Sequence, residues 1–388
     1  MKVFEKCFMS CFQCITSNYI DPLQFAYRKN RSVDDALLYV LNKVYSHLEK
    51  TSSSVRIMFY DFSSAFNTIQ GHLLGRKLMN MNVSPYTILW ILDYLTKRPQ
   101  YVKINCSPAD KSRSSQFLSD TLFTNTGCPQ GTVLSPYLFS IYTSDSRESH
   151  DQCSLIKYAD DTALTGLILE DDFTHYLNAI HNFVQWCDNN FLELNVGKTK
   201  EMIIDFRKNS IEPPPIMLKG KKVERVSSYK YLGTTIDENL SWSQNTTNII
   251  AKVNTRMYCL RNLHTFNVNT NMLQLFFRSV VCSVLIFGVT SWGGNIMQKD
   301  KDKLDRIIRK AGRVIGERQD TITDLYNDRL VRKLKGIFDD DKHPLRQEFN
   351  KLVIQRSGRL RTPKIRTTRF QNSFLCQAVN TYNSGHLR

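Results

Sequence analysis

Three aspartates that follow apolar segments are the residues best suited to chemistry. Asp61 ends the run "VRIMFYD", and Asp160 and Asp161 stand between the two apolar halves of "CSLIKYADDTALTGLIL", which has the pattern of a β-hairpin. Each aspartate alone is an ordinary residue for a strand end or a turn. If the strands are neighbours in one sheet, however, the three carboxylates lie at the same edge and repel one another unless a cation lies among them.

Such an edge would suit a hard divalent cation. Mg²⁺ prefers oxygen ligands and keeps coordination positions for water and for substrate phosphates. Two such ions about 3.5–4 Å apart can activate an attacking oxygen and stabilise a leaving oxygen. The three aspartates therefore predict a site for phosphoryl transfer.

Two further segments have residues suited to a nucleotide. The small residues 63–65 let the backbone approach a triphosphate, and Phe66 could form an aromatic wall against the sugar or could equally be a core residue. Gly127 and Gly131 enclose a Cys-Pro-Gln sequence, where glycine allows close approach of the backbone to a base pair. The amide of Gln130 can both donate and accept hydrogen bonds at a base or sugar edge.

The charge of the chain favours a polyanionic partner. Its 388 residues include 52 Lys and Arg against 36 Asp and Glu, a formal charge of +16. Nucleic acid is the first candidate and an anionic membrane the second. Residues 299–388 hold 22 of the basic and 11 of the acidic residues, so this region is either a solvated, partly disordered tail or a binding arm.

Localisation signals are weak. The ten cysteines have irregular spacing and predict reduced thiols in an intracellular protein, with nucleus and cytoplasm both open. The most apolar late segment, residues 280–289, is too short to span a bilayer. No membrane association is therefore expected, and the oligomeric state stays open.

Hydrophobic spacing predicts a mixture of strands and helices. A helix is expected after Ser32, which suits an N-cap, with Asp34 and Asp35 in its first turn, and another is expected to begin at Pro85. Strands and helices are mixed to about Leu240 and helices dominate afterwards, which indicates an α+β fold. The helix in "DDFTHYLNAIHNFVQWC" is expected to bury four apolar side chains: Phe173, Leu177, Ile180 and Val184.

Four motifs in order carry a resemblance to a known family. They are "DFSSAFNTI", "GCPQGTVLSP", "YADDTAL" and "LELNVGKTKEM". With these the chain resembles the reverse transcriptases of non-LTR (LINE-type) retrotransposons, most of all the jockey, CR1 and L2 groups. The segments "DPLQFAYRKNRSVDDAL", "SSYKYLGTTIDENLSW" and "SGRLRTPKIRTTRFQNSFLCQAVNTYN" also resemble parts of that family.

The resemblance implies a right-hand polymerase fold. Residues 1–54 would be part of the fingers, and residues 55–240 the palm, with a small antiparallel sheet and a fingers insertion at about 71–125. Residues 241–298 would be a helical thumb and 299–388 a basic C-terminal region. The family's proteins are much longer, so the chain is expected to be truncated at its N-terminus and to lack an endonuclease and the leading fingers strands.

The resemblance also implies roles for single residues. Asp61, Asp160 and Asp161 match the catalytic ligands of two Mg²⁺ ions, and Phe66 matches the gate that excludes a ribose 2′-hydroxyl. Lys198 matches the proton donor to pyrophosphate, although Lys200 is an equal candidate. The remaining matched residues would contact the nucleotide (Phe62, Gln130, Arg28 and Arg31) or the template and primer (Gly127, Pro129 and Gly131).

Two functional hypotheses follow. The first is an RNA-directed DNA polymerase whose partners are an RNA template, a DNA primer and dNTPs. The second is a catalytically inactive remnant that still binds nucleic acid, because a pocket without the leading fingers would position a triphosphate poorly. A viral RNA-copying polymerase shares the aspartates, but Phe66 and the resemblance of the C-terminal stretch argue against it.

Overall fold

The computed structural model describes residues 2–106, 115–148, 150–208 and 213–385. Among these residues, strands and helices are mixed up to Asp237 and the longer elements after it are helices, which confirms the predicted α+β class. The helices are α1 (Lys2–Thr16), α2 (Val33–His47), α3 (Gly71–Asn80), α4 (Pro85–Leu95), α5 (Leu134–Tyr142), α6 (Thr174–Asn189), α7 (Ser243–Thr265), α8 (Thr270–Phe276), α9 (Ser283–Leu285), α10 (Val289–Trp292), α11 (Gln298–Ile315), α12 (Ile322–Phe338), α13 (Pro344–Asn350), α14 (Thr368–Gln371) and α15 (Phe374–Asn383).

The strands form one central sheet and four small hairpin-like pairs. The central sheet has the order β11-β8-β1-β7-β6, antiparallel except for the β11–β8 pair. The strands are β1 (Ser53–Tyr60), β2 (Arg98–Gln100), β3 (Lys103–Cys106), β4 (Ser115–Leu118), β5 (Leu122–Thr124), β6 (Cys153–Tyr158), β7 (Asp161–Leu169), β8 (Lys200–Ile204), β9 (Met217–Leu218), β10 (Lys221–Lys222), β11 (Glu224–Arg225), β12 (Ser228–Tyr231) and β13 (Thr234–Asp237).

The middle strand, β1, is buried on both faces. Ile57 and Phe59 belong to one core cluster, which includes α2 and the C-terminal helices, while Met58 and Tyr60 belong to a second cluster with α3, α5 and α6. A strand with apolar neighbours on both sides needs a continuous apolar run rather than an alternating one. This explains why Val55 and the four residues from Ile57 to Tyr60 are apolar, while the buried Arg56 of the same strand is paired with Glu201.

The buried face of α6 differs from the predicted one. Ile180 is buried as predicted and Phe173 and Val184 are half-buried, but Leu177 is 43% exposed, and the other buried residues are Tyr176, Ala179, Phe183 and Cys187. The helix is rotated because β7 has a glycine, Gly166, directly beneath the Tyr176 ring, where a Cβ would lie 2.3 Å from Cδ2 of Tyr176. Burying the rings of Tyr176 and Phe183 gains more than burying Leu177.

The predicted helix starts at Ser32 and Pro85 are confirmed. The backbone N–H of Ser32 donates to the Asp35 carboxylate at 2.8 Å, which closes a capping box on α2. Pro85 is the first residue of α4. Between α8 and α9 the helical run passes through a π-helical segment, Phe277–Cys282, and within the described residues no helix is both long enough and apolar enough to cross a bilayer.

The C-terminal helices fold back onto α2. Leu345, Phe349, Phe374 and Val379 are all buried in the cluster that covers one face of β1. Residues 299–385 therefore include helices that complete the core, so a wholly solvated tail is excluded for this described part.

A buried polar network joins α2 to this C-terminal region. Asp35 Oδ1 lies 3.0 Å from Lys333 Nζ and 3.1 Å from His343 Nε2. Because Nδ1 of His343 accepts from the N–H of Leu345, Nε2 carries the proton that Asp35 accepts. Burial alone would raise the pKa of Asp35, but the hydrogen bond from His343 and the charge of Lys333 outweigh it and hold the pKa well below its usual value.

Protonation of Asp35 is expected to destabilise the fold. Because its pKa is lowered, its contribution is fully present above about pH 4 and is lost as the pH falls through the folded-state value. We expect Asp35→Asn to lower the free energy of unfolding by about 3 kcal/mol near neutral pH. As the pH falls to ~2, the free energy of unfolding of this variant should decrease less than that of the wild type. Denaturant unfolding at a series of pH values measures the free energy of unfolding and its dependence on pH. Asp341→Asn, a change at an exposed aspartate, is the control. Parallel pH profiles for wild type and Asp35→Asn would contradict this assignment.

Candidate active site

The sheet brings the three predicted aspartates to one edge. β1 and β7 are antiparallel, with Tyr60 paired to Thr162, so one step further along each strand Asp61 stands level with Asp161. Asp160 lies in the turn that joins β6 to β7. Burial raises the pKa of Asp161, and the negative charges of Asp160 and Asp61 raise it further. The three carboxylates therefore interact electrostatically at the end of the central strands.

The backbone of Asp61 is held by hydrogen bonds, while its carboxylate has an oxygen without a hydrogen-bond donor. The N–H of Asn195 donates to the carbonyl of Asp61 at 2.8 Å, and the N–H of Asp61 lies 3.4 Å from the Thr199 hydroxyl. One carboxylate oxygen, Oδ2, is shielded from solvent and accepts no hydrogen bond. Its charged neighbour is Lys198, whose Nζ lies 3.8 Å away on a side chain that is 72% exposed.

This arrangement fits a magnesium ion held partly by substrate. Among the described residues, no three His, Cys, Asp or Glu side chains are grouped so as to hold an ion by themselves. Mg²⁺ is commonly bound by one or two carboxylates together with substrate phosphates and water. A buried carboxylate oxygen without a hydrogen-bond donor, beside carboxylates that repel one another, is the donor set that such an ion would satisfy.

The two candidate lysines differ in their surroundings. Lys200 Nζ donates to Glu224 Oε2 at 2.6 Å and to the Gly197 carbonyl at 2.8 Å, and its side chain is 19% exposed. Lys198 has no such close acceptor and reaches towards Asp61. The ammonium of Lys198 is thus the freer of the two to meet a leaving group.

Phe66 lies in a short turn packed against the glycine-flanked loop. It belongs to a 3₁₀ segment, Ala65–Asn67, and its ring centroid lies 4.7 Å from that of Phe139. The N–H of Cys128 donates to the carbonyl of Phe66 at 2.8 Å. Gly127 has a φ of +73°, and a Cβ there would lie 2.6 Å from the Cα of Asn67. Only glycine allows the loop to approach the Phe66 turn this closely.

The rest of this loop presents its polar residue to solvent. Gln130 is exposed, and the carbonyl of Pro129 accepts from the hydroxyls of Thr132 and Ser135 at 3.1 and 2.8 Å. Cys128 is buried, which raises the pKa of its thiol to about 12. The cysteine is therefore a packing residue and Gln130 is the loop residue available to a ligand.

A family model decides what these features belong to. The model described as "Reverse transcriptase (RNA-dependent DNA polymerase)" matches residues 1–236, more than half of the chain. The chain belongs to the reverse transcriptase family. All three aspartates, Phe66 and Gln130 lie within the matched residues.

Curated relatives of this chain come from fly mobile elements. It is 25% identical over 292 residues to the RNA-directed DNA polymerase from mobile element jockey of Drosophila melanogaster, covering 71% of this chain and 30% of the relative. The jockey polymerase of Drosophila funebris is 28% identical, covering 61% and 25%, and the probable polymerase from transposon BS of Drosophila melanogaster is 25% identical, covering 70% and 30%. The predicted resemblance to jockey-type elements is confirmed, and the chain spans less than a third of these relatives' length.

Solved structures give weaker likenesses. A match to apo telomerase from Candida tropicalis covers 86% of this chain and 53% of the telomerase chain, with 11% identity and a TM-score of 0.41. Telomerase from Candida albicans in complex with a fragment of telomeric RNA matches 89% and 56%, with 12% identity and a TM-score of 0.33. Both TM-scores are below 0.5.

Two predicted nucleotide contacts already have partners within the chain. The guanidinium of Arg28 donates to the carbonyls of Asp21 and Gln24 at 3.1 and 3.4 Å. Arg31 forms an ion pair with Asp340, and its side chain is only 2% exposed. Either arginine would have to exchange these partners to bind a triphosphate or a template.

Sequence reasoning missed two tyrosines beside the aspartates. The Tyr229 ring stacks on Phe59 with centroids 4.2 Å apart, and its pKa is raised by burial and then by the charges of Asp161 and Asp61. The pKa of Tyr27 is raised by burial and then by Asp160. The motif segments "LQFAYR" and "SSYKYLG" contain both tyrosines, but nothing in their spacing relates them to Asp61 or Asp160.

Proposed function

We propose that this chain is an RNA-directed DNA polymerase, which joins dNTPs to the 3′-hydroxyl of a DNA primer along an RNA template. The observation that carries the proposal is the edge of the central sheet, where Asp61 is level with Asp161 and next to the Asp160 turn. The family match and the names of the fly relatives support it.

In this proposal the aspartates hold the metal and the neighbouring residues select the nucleotide. Asp61, Asp160 and Asp161 would hold two Mg²⁺ ions, which when bound supply activation of the attacking oxygen and charge stabilisation of the leaving one. Phe66 excludes a 2′-hydroxyl by contact, and the loop from Gly127 to Gly131 supports the new base pair. As predicted, the nucleotide would also be contacted by Phe62, Arg28 and Arg31. The template or primer would be contacted by Pro129.

The same proposal assigns the parts of a right hand. The palm would be residues 55–240 with an insertion at about 71–125, the fingers part residues 1–54 and the thumb residues 241–298. The basic region 299–388 would contact the phosphate backbone of the bound nucleic acid, so binding should weaken steeply with salt.

The deciding experiment is primer extension by the purified chain. An RNA template annealed to a labelled DNA primer, dNTPs and Mg²⁺ should yield extended primer, and omission of Mg²⁺ or of template should abolish it. A chain that retains salt-sensitive binding to the primer–template but adds no dNTP would instead be the inactive binding remnant.

Lys198 is the proposed proton donor to pyrophosphate. Because Lys198 is exposed and 3.8 Å from Asp61 while Lys200 is engaged by Glu224, Lys198→Ala should lower the rate of single-nucleotide addition by about 100-fold. Lys200→Ala should leave the rate within a few-fold of wild type. Rapid-quench kinetics over a range of pH would measure both, and a larger loss in Lys200→Ala would transfer the role to that residue.

A further inference from the structure

The turn that carries Asp160 contains a residue in an unusual backbone conformation. Ala159 has a φ of +57°, the left-handed region that side chains with a Cβ rarely adopt. Asparagine, aspartate and glycine are the usual residues at such a position. The turn must therefore be held by contacts from elsewhere in the chain.

The side chain of Gln24 makes those contacts. Its Oε1 accepts from the N–H of Ala159 at 3.0 Å, and its Nε2 donates to the carbonyl of Ala159 at 3.2 Å. Oε1 also accepts from the N–H of Ala26 at 3.1 Å, which fixes the orientation of the amide. Gln24 is 1% exposed while Ala159 is half-buried, so the hydrogen bond from Ala26 is buried and the two to Ala159 are partly shielded from water.

The segment around Gln24 is itself anchored to β6. The N–H of Phe25 donates to the carbonyl of Lys157, and the N–H of Lys157 donates to the carbonyl of Leu23, both at 2.9 Å. The ammonium of Lys157 is buried 2.7 Å from Asp21 Oδ2. This pairing holds Gln24 in register with the peptide that immediately precedes Asp160.

We propose that Gln24 is a positioning residue: its amide clamps Ala159 in the left-handed conformation and so fixes the backbone from which Asp160 reaches the metal. This inference rests on the proposed function for its catalytic consequence, but the clamp itself is a property of the folded chain. Gln24 touches neither substrate nor metal and acts only through Ala159. Residues that hold metal ligands in place are often worth about 10- to 100-fold in metal affinity or activity.

Three variants test the clamp. Gln24→Met keeps the length of the side chain and removes both hydrogen bonds to Ala159 together with the one from Ala26. Adding Ala159→Gly to it removes the Cβ that makes the left-handed conformation costly. Leu23→Ala, which trims a half-buried neighbour in the same segment while keeping its backbone bonds, is the control for loss of packing.

Two measurements are made on each variant. The first is hydrogen exchange of the peptide containing residues 158–162, which reports the Ala159 amide whether or not the chain is active. The second is the Mg²⁺ concentration that half-saturates primer extension. We expect Gln24→Met to speed exchange in this peptide and to raise the half-saturating Mg²⁺ by about 10-fold, the double variant to restore most of the Mg²⁺ affinity, and Leu23→Ala to change neither.

The outcomes test the Gln24 clamp separately from the proposed polymerase function. Unchanged exchange in Gln24→Met would overturn the clamp, and so would equal effects of Gln24→Met and Leu23→Ala, or a double variant no better than Gln24→Met in Mg²⁺ affinity. If the wild type extends no primer, the proposed function fails, while faster exchange in Gln24→Met alone still supports the clamp.

Discussion

Asp160→Asn is expected to abolish RNA-templated primer extension, with a loss of about 10³-fold or more in the rate of nucleotide addition. The change removes one negative charge from the edge where Asp61 and Asp161 meet but keeps the size of the side chain. A metal-ion site typically contributes several kcal/mol of charge stabilisation to phosphoryl transfer, and each ~1.4 kcal/mol is a factor of ten in rate. Single-turnover extension with saturating primer–template measures the loss.

A matched variant separates this effect from a general loss of charge or fold. Asp93 is an exposed residue of α4, so Asp93→Asn removes the same charge from a surface helix and should retain the wild-type rate. The affinity for primer–template should be similar in both variants, because the aspartates at the end of the central strands contribute more to the rate of nucleotide addition than to binding of the duplex. Retention of a tenth or more of the wild-type rate by Asp160→Asn would remove Asp160 from the metal site.

Phe66→Val is expected to increase the use of ribonucleotides relative to deoxyribonucleotides by about 10- to 200-fold. A pocket that distinguishes two substrates differing by one small group usually does so by about 1–3 kcal/mol, which corresponds to this range of ratios. Valine removes most of the ring that the 2′-hydroxyl would meet. The measurement is the ratio of kcat/KM for a dNTP to that for the matching rNTP on one primer–template.

The control for this variant is the ring on which Phe66 packs. Phe139 is fully buried and 4.7 Å from Phe66 between ring centroids, so Phe139→Leu weakens the same packing contact but leaves the Phe66 ring in place. It should lower stability, by about 1 kcal/mol, with little change in sugar selection. If Phe66→Val and Phe139→Leu shift the ratio equally, or if neither shifts it, Phe66 is a packing residue and not a gate.

Local features of the sequence predicted much of the fold. The capping residue Ser32, the N1 position of Pro85 and the hairpin around Asp160 depend on neighbours within a few residues, and the structure has all three. The apolar run before Asp61 predicted a buried strand for the same reason. The α+β class follows from these elements because the change from mixed to helical pattern after about Leu240 is visible in the spacing alone.

Features that depend on distant contacts were not predictable. The prediction for α6 was wrong at Leu177, which is exposed, because Gly166, on another element, makes room for the Tyr176 ring. The ion pair of Arg31 with Asp340 joins residues from opposite ends of the chain. Gln24 belongs to no motif that would single it out, and its hydrogen bonds to Ala159 depend on the pairing of its segment with β6. The metal and nucleotide roles of the site residues stay predictions.

The return of the C-terminal helices onto α2 has a consequence for how the protein is made. The hydrophobic cluster over one face of β1 combines Leu37 near the start of the chain with Phe374 and Val379 near its end. A growing polypeptide on the ribosome cannot close this cluster until α15 has emerged. Because contacts so far apart in sequence form late and slowly, the half-synthesised chain leaves apolar surface of α2 uncovered and open to chaperones throughout translation.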